Sequence, residues 1–187
     1  MNCIIVHGSP SRDKRNDADY IAENNKHWMP WLKENLNEKD INVEIPLMPK
    51  PWNPDYNEWK QEFEKLEINE NSILIGHSAG GAFLVRWLGE TEKKIKKLIL
   101  VAASKETTKR IERIKEFCNF NVNNKIKELV REIIIFVSND EEETIKSADI
   151  YEKELNGKLI RLENKGHFCK SDGVTEFPEL LNKILED

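Results

Sequence analysis

The chain has 187 residues, of which 39% are hydrophobic and 34% charged, and its 34 acidic and 29 basic residues leave a formal net charge of −5. That length suits a single domain spanning residues 1–187 with a sizeable core, and the composition is that of a soluble globular chain. The acidic balance argues against a dedicated nucleic-acid binder, and no window approaches the run of about 20 apolar residues that a membrane span needs.

In chain order, the first predicted strand is residues 2–6. It has no basic lead, and its apolar run is far too short for a signal peptide. A helix over 28–37 places Trp28, Trp31, Leu32 and Leu36 on one face. The strand at 42–45 runs into Pro46-Leu47-Met48-Pro49-Lys50-Pro51-Trp52-Asn53-Pro54, the one marked irregular loop. That loop belongs on the edge where strand carboxyl ends, and therefore ligands, are found. A helix over 57–66 carries Trp59, Phe63 and Leu66; a strand at 72–75 is followed by a helix over 80–88 with Phe83, Leu84 and Trp87. Glu92-Lys93-Lys94-Ile95-Lys96-Lys97 reads as a solvated helix end, and a strand follows at 97–101. A helix over 124–130, a strand at 132–137, a helix over 145–155, a strand at 158–162 and a helix over 177–185 complete the set. Four of the strands are rich in Ile, Leu and Val, as strands covered on both faces should be. The alternation predicts about six mostly parallel strands with helices on both faces.

One segment dominates the chemistry. Ile73-Leu74-Ile75-Gly76-His77-Ser78-Ala79-Gly80-Gly81 is a buried strand running straight into G-x-S-x-G and then a helix. Such a turn pushes its serine into a strained backbone conformation at an exposed tip. Gly76 and Gly80 keep the turn free of clashes, and the helix behind directs its first amides at developing negative charge. Ser78 is the candidate nucleophile.

A nucleophilic serine needs a base, and the chain has four histidines. His167, in Asn164-Lys165-Gly166-His167-Phe168, lies just after the last predicted strand, where a loop can deliver an imidazole. His77 sits inside the elbow and should point away from the serine, as a packing or hydrogen-bonding residue. His27 reads as structural. His7 ends the first strand in Val6-His7-Gly8-Ser9-Pro10, where it props a loop whose Ser9 amide joins that of Ala79 as an oxyanion hole; the plain alternative is a simple turn. The acid comes from Ser138-Asn139-Asp140-Glu141-Glu142-Glu143, after a strong strand. Asp140 comes first and completes the order Ser…Asp…His, with Glu141 next; the run also reads as an acidic helix start.

The three cysteines are widely separated and show no metal spacing, which fits a reducing, cytoplasmic setting. Cys3 belongs to a core strand. Cys169, two residues past His167, is either at the site or merely beside it. Trp52, with Trp28 or Trp31, is either an acyl-pocket wall or core.

These motifs together resemble the small serine hydrolases of the α/β-hydrolase superfamily. The chain is similar in particular to the retinoblastoma-binding protein 9 group, through His7-Gly8, His27-Trp28-Met29-Pro30-Trp31-Leu32, the loop at 46–54, the elbow, Ser138-Asn139-Asp140 and Gly166-His167-Phe168. The resemblance implies a compact, lidless, metal-free and cofactor-free fold with a Ser78–Asp140–His167 triad acting on small esters or amides. Relatives usually carry Asp-Pro or Asp-Asp-Pro where this chain has Asp140-Glu141-Glu142-Glu143, so Glu141 stays beside Asp140 as the acid. The expected partner is a small-molecule ester or amide, with neither nucleic acid nor membrane; a protein partner has no positive sign. The competing function is a binding module on the same fold with little or no catalysis. A fluorophosphonate label lost in Ser78→Ala and kept in Ser104→Ala separates the two.

Overall fold

A computed structural model describes residues 1–10, 12–105 and 112–186, with the side chains of residues 112 and 113 left aside. Six strands form one sheet: β1 (Asn2–Val6), β2 (Asn42–Glu44), β3 (Ile73–His77), β4 (Ile95–Val101), β5 (Val130–Val137) and β6 (Lys158–Arg161). Their order is β2-β1-β3-β4-β5-β6, and every neighbouring pair is parallel. The helices are α1 (Met29–Asn37), α2 (Tyr56–Phe63), α3 (Ala79–Thr91), α4 (Glu112–Cys118), α5 (Ile126–Leu129), α6 (Glu142–Leu155) and α7 (Pro178–Leu185).

The continuous apolar strands are explained by two cores. Side chains alternate across a strand, so Ile4, Leu74, Leu98, Leu100 and Ile135 face α2 to α6, against Trp59, Phe63, Phe83, Trp87 and Tyr151. Ile5, Ile73, Ile75, Ile99 and Phe136 face the other way, against Trp28, Leu32 and Leu36 of the first helical segment and Phe177, Leu180 and Ile184 at the last. Both faces of the sheet are thereby removed from water.

One expectation is corrected here. The run at 92–97 is only partly a solvated helix end. β4 begins at Ile95, and Lys97 is 1% exposed. Its ammonium reaches Glu132 at 2.9 Å and accepts no solvent role: it donates to the carbonyls of Lys183 and Glu186, tying the end of α7 to the sheet. A buried lysine persists because each of its protons has an oxygen to meet. Of the two readings of Trp28, core or pocket wall, the structure shows the core: it is 0% exposed and packs edge-on against Phe177 and His77.

The strand order fixes where chemistry can occur. From β1 the chain crosses outward to β2, then returns past β1 to β3. The carboxyl ends of β1 and β3 therefore flank a topological switch point, the crevice where ligands bind in parallel sheets.

Candidate active site

β3 ends at His77, and α3 starts at Ala79. Ser78 alone makes the turn, with φ 54° and ψ −120°. A non-glycine residue there carries strain of about 1–3 kcal/mol and persists only where its surroundings over-determine it. They do so here. Ser78 N–H donates to Val101 O at 3.0 Å, and Ser78 O accepts from Gly81 N–H and Ser104 N–H, each at 3.0 Å. The first turn of α3 also rides on the end of β1. A Cβ on Gly80 would stand 2.2 Å from the Val6 carbonyl oxygen, so no larger residue fits that contact.

The loop after β1 is held through His7 and Ser9. His7 is 1% exposed. Its Nε2 accepts from Met48 N–H at 3.0 Å, so Nδ1 carries the proton and donates to Gly8 O at 2.7 Å. Ser9 Oγ donates to Pro51 O at 2.6 Å, and Trp59 Nε1 to Pro49 O at 2.8 Å. The proline-rich loop and the 7–9 loop thus brace each other. Gly8 lies against the nucleophile position, since a Cβ there would approach Ser78 Cβ to 3.0 Å. Trp52 stacks under the Arg15 guanidinium, 4.1 Å away, at this rim. Trp31 packs, half-buried, against the α1-side core.

Between β5 and α6 the carboxylate that meets an imidazole is that of Asp140. Its Oδ2 pairs with His167 Nδ1, while Oδ1 accepts from Glu141 N–H at 2.7 Å. Burial pushes this carboxyl up, but the His167 hydrogen bond and charge, the Glu141 amide and the Thr144 hydroxyl outweigh it and hold the group below its ordinary range. Glu141 is exposed and serves as the N-cap residue of α6. The Nδ1–carboxylate bond leaves His167 Nε2 as the basic nitrogen.

His167 is held to the elbow through His77. The two rings lie 5.3 Å apart, and His77 Nε2 donates to His167 O at 2.9 Å. Ser78 Oγ has Ser104 Oγ as its hydrogen-bond partner among the described residues, at 3.5 Å, the long limit for such a bond. The serine hydroxyl is therefore turned toward Ser104, just beyond the end of β4.

Two residues at the site carry no strong sequence signal. Ser104 follows Ala102-Ala103 after β4; only its place at a strand's carboxyl end hinted at it. Asp172 accepts His167 N–H at 3.1 Å and Cys169 N–H at 3.0 Å from the side, and a Cβ on Gly166, whose φ is +49°, would collide with it. Cys169 does lie beside His167, its thiol 3.6 Å from the His167 carbonyl oxygen. Burial pushes that thiol up to about 12, which makes it a poor nucleophile.

The three supporting imidazoles make stability acid-sensitive. Burial pushes His7 and His27 down to about 4 and His77 well below its ordinary value. The unfolded chain binds these protons near pH 6.5, whereas the native chain resists them. Stability from this source is full above about pH 6.5 and is lost as pH falls toward 4, by on the order of 3 kcal/mol for His7 alone. Urea midpoints measured from pH 7 down to 4.5 are expected to fall steeply. A flat profile would show that these rings are not buried neutral.

Known proteins bear on this arrangement. Over 165 residues the chain is 26% identical to the YdeN protein of Bacillus subtilis, covering 85% of this chain and 87% of that one. The solved structure of that gene product superposes with a TM-score of 0.86 at 22% identity, over 98% of this chain and 96% of the other. Est1E from Butyrivibrio proteoclasticus, solved with ferulic acid bound, superposes at 0.63 with 15% identity, over 99% of this chain and 90% of Est1E. The Arabidopsis methylesterase MES16 also superposes at 0.63, with 16% identity over 99% and 97%. These likenesses identify the sheet and its helices as an α/β-hydrolase fold. Residues 19–186 match the serine hydrolase family, and with that stretch spanning all but the first strand and its loop, the chain belongs to it.

Proposed function

We propose that the protein hydrolyses a small ester through an acyl-enzyme, with Ser78 as nucleophile, His167 as base and Asp140 as the acid that orients it. The observation that carries this reading is the Asp140–His167 pair hung beside a strained elbow serine. Ser78 turns from Ser104 and attacks the carbonyl as His167 Nε2 takes its proton. Asp140 keeps the proton on Nδ1 and stabilises the imidazolium. The amides of Ala79, at the first turn of α3, and of Ser9, beyond Gly8, face the developing oxyanion; each such donor is worth about 3–4 kcal/mol in a comparable enzyme. His167 then protonates the leaving alcohol, and water repeats the sequence to free the acid. The cycle is complete without metal or cofactor.

An ester is favoured over an amide because MES16 is a methylesterase and Est1E holds a carboxylic acid, ferulic acid, in its solved structure. The resemblance to the retinoblastoma-binding protein 9 group points to the same class, as a single cytoplasmic domain. That setting accords with thiols at Cys3, Cys118 and Cys169 that are free. No helix among the described residues is long and apolar enough to cross a membrane.

A fluorophosphonate probe tests the reading. Wild type is expected to label once, and Ser78→Ala to lose the label. Ser171→Ala, in an exposed turn, is the neutral control. Ser104→Ala is also expected to label, but it is no neutral control, because its hydroxyl touches that of Ser78. Labelling that survives in Ser78→Ala would overturn the assignment.

A further inference from the structure

The loop carrying His167 is tightly wound. Asn164, Gly166 and Phe168 all have positive φ, at 57°, 49° and 58°. Such a loop holds its shape only through outside anchors. Its anchors are side chains. Lys165 N–H donates to Ser138 Oγ at 3.0 Å, and Asp172 takes the amides of His167 and Cys169. The remaining two come from imidazoles outside the loop. His27 Nδ1 accepts from Lys170 N–H at 2.9 Å, and His77 Nε2 donates to the His167 carbonyl at 2.9 Å.

These two rings form a file with the third. His27 and His77 lie 5.6 Å apart, and His77 and His167 5.3 Å apart, with Trp28 closing the far side of His77 at 6.2 Å. The proton-transfer chemistry uses neither. His77 is 3% exposed, and its Nδ1 has no hydrogen-bond partner among the described residues, so the polar contact found for the ring is the one donated by Nε2. The position requires a donor that is neutral. A lysine or arginine would set a fixed positive charge against the imidazolium that forms at His167, and a phenylalanine would leave the part-buried His167 carbonyl with only the Cys169 thiol, 3.6 Å away. His27 has the opposite duty, that of a neutral acceptor for a backbone amide. Burial keeps both rings uncharged.

We propose that His77 and His27 are positioning residues that clamp the backbone at His167 and at Lys170, three residues beyond it, and so aim the His167 ring at both Asp140 and Ser78. This rests on His167 being the base. The titratable groups around that ring are Asp140 after β5, His77 at the end of β3, His27 before α1, and Cys169 and Asp172 of its own loop.

Four variants test the clamp. His77→Phe keeps a ring and removes the donor, whereas His77→Gln returns an amide N–H near the position of Nε2. His27→Ala removes the acceptor, whereas His27→Asn places an oxygen near Nδ1 and tolerates the positive φ of 59° at that residue. The measurements are kcat and KM on an aryl acetate, the acidic limb of the kcat/KM profile, the melting temperature, and fluorophosphonate labelling. His77→Phe is expected to lose up to about 100-fold in kcat, the cost of an ångström of misplacement, with KM within about twofold. Its acidic limb should shift, because a ring that slips from Asp140 changes the charge it faces. His77→Gln should restore most of kcat and return the limb. His27→Ala and His27→Asn should repeat the pattern with a smaller loss.

Unchanged kcat and acidic limb in His77→Phe, in a wild type that labels and turns over, would overturn the clamp alone. So would equal losses in His77→Phe and His77→Gln that follow the melting temperature with no shift of the limb. A wild type that neither labels nor turns over would instead remove the catalytic reading on which the clamp depends.

Discussion

Ser78→Ala is expected to lower turnover of a short-chain aryl ester by about 10⁶-fold, with little change in fold or stability. The size follows from the role: removing the nucleophile of a serine hydrolase abolishes the covalent route and leaves only what the oxyanion donors and binding supply. The mildness toward the fold follows from geometry. The elbow is held by backbone bonds to Val101, Gly81 and Ser104, none of which uses the serine hydroxyl. Alanine at φ 54° keeps the same backbone strain as serine. A circular dichroism melt should therefore superpose on wild type while the chromogenic assay falls to background. Activity within tenfold of wild type would mean that another residue attacks.

Asp140→Asn is expected to cost about 10⁴-fold in kcat, as the equivalent change does where a carboxylate fixes the imidazole tautomer. The structure says which way the new amide must face. Glu141 N–H donates to Asp140 Oδ1 at 2.7 Å, so that position must remain an oxygen. The amide NH₂ is then turned toward His167 Nδ1, which can meet it only as an acceptor. The ring proton moves to Nε2, the nitrogen that should receive the serine proton. Glu141→Gln leaves all of this in place and should change kcat by less than about threefold, the scale of an exposed charge. Single-turnover phosphonylation of both variants separates them. The reverse ranking would transfer the acid role to Glu141.

The strained turn at Ser78 and the loop that carries His167 were readable because their signals are local. A glycine-flanked serine between an apolar strand and a helix demands one backbone geometry, and a Gly-His at a strand end demands a loop. The contact of His7 with Met48 in the proline-rich loop was not readable, because it joins residues 41 apart. Nor was the choice between Asp140 and Glu141. Neighbouring carboxylates carry the same chemistry, and only the backbone direction after β5 decides which one turns inward. Ser104 and His27 act through contacts across long stretches of chain, to which no short pattern points; Asp172 acts locally, but a lone aspartate in a loop carries no distinctive pattern. α4 was unread because its described buried residues, Ile114, Phe117 and Cys118, barely fill one helical face. Lys97 misled because a lysine in a charged run reads as solvated, and its carbonyl partners lie 86 and 89 residues away.

Sequence alone determined the parallel sheet, through strands apolar on both faces, and the elbow, through residues whose steric limits act over a few positions. Folding decided which carboxylate meets the imidazole, which hydroxyl shares the serine's corner, and how the base loop is tied down. Those outcomes depend on side-chain directions at the ends of different strands, and direction is set by packing between distant segments rather than by spacing along the chain.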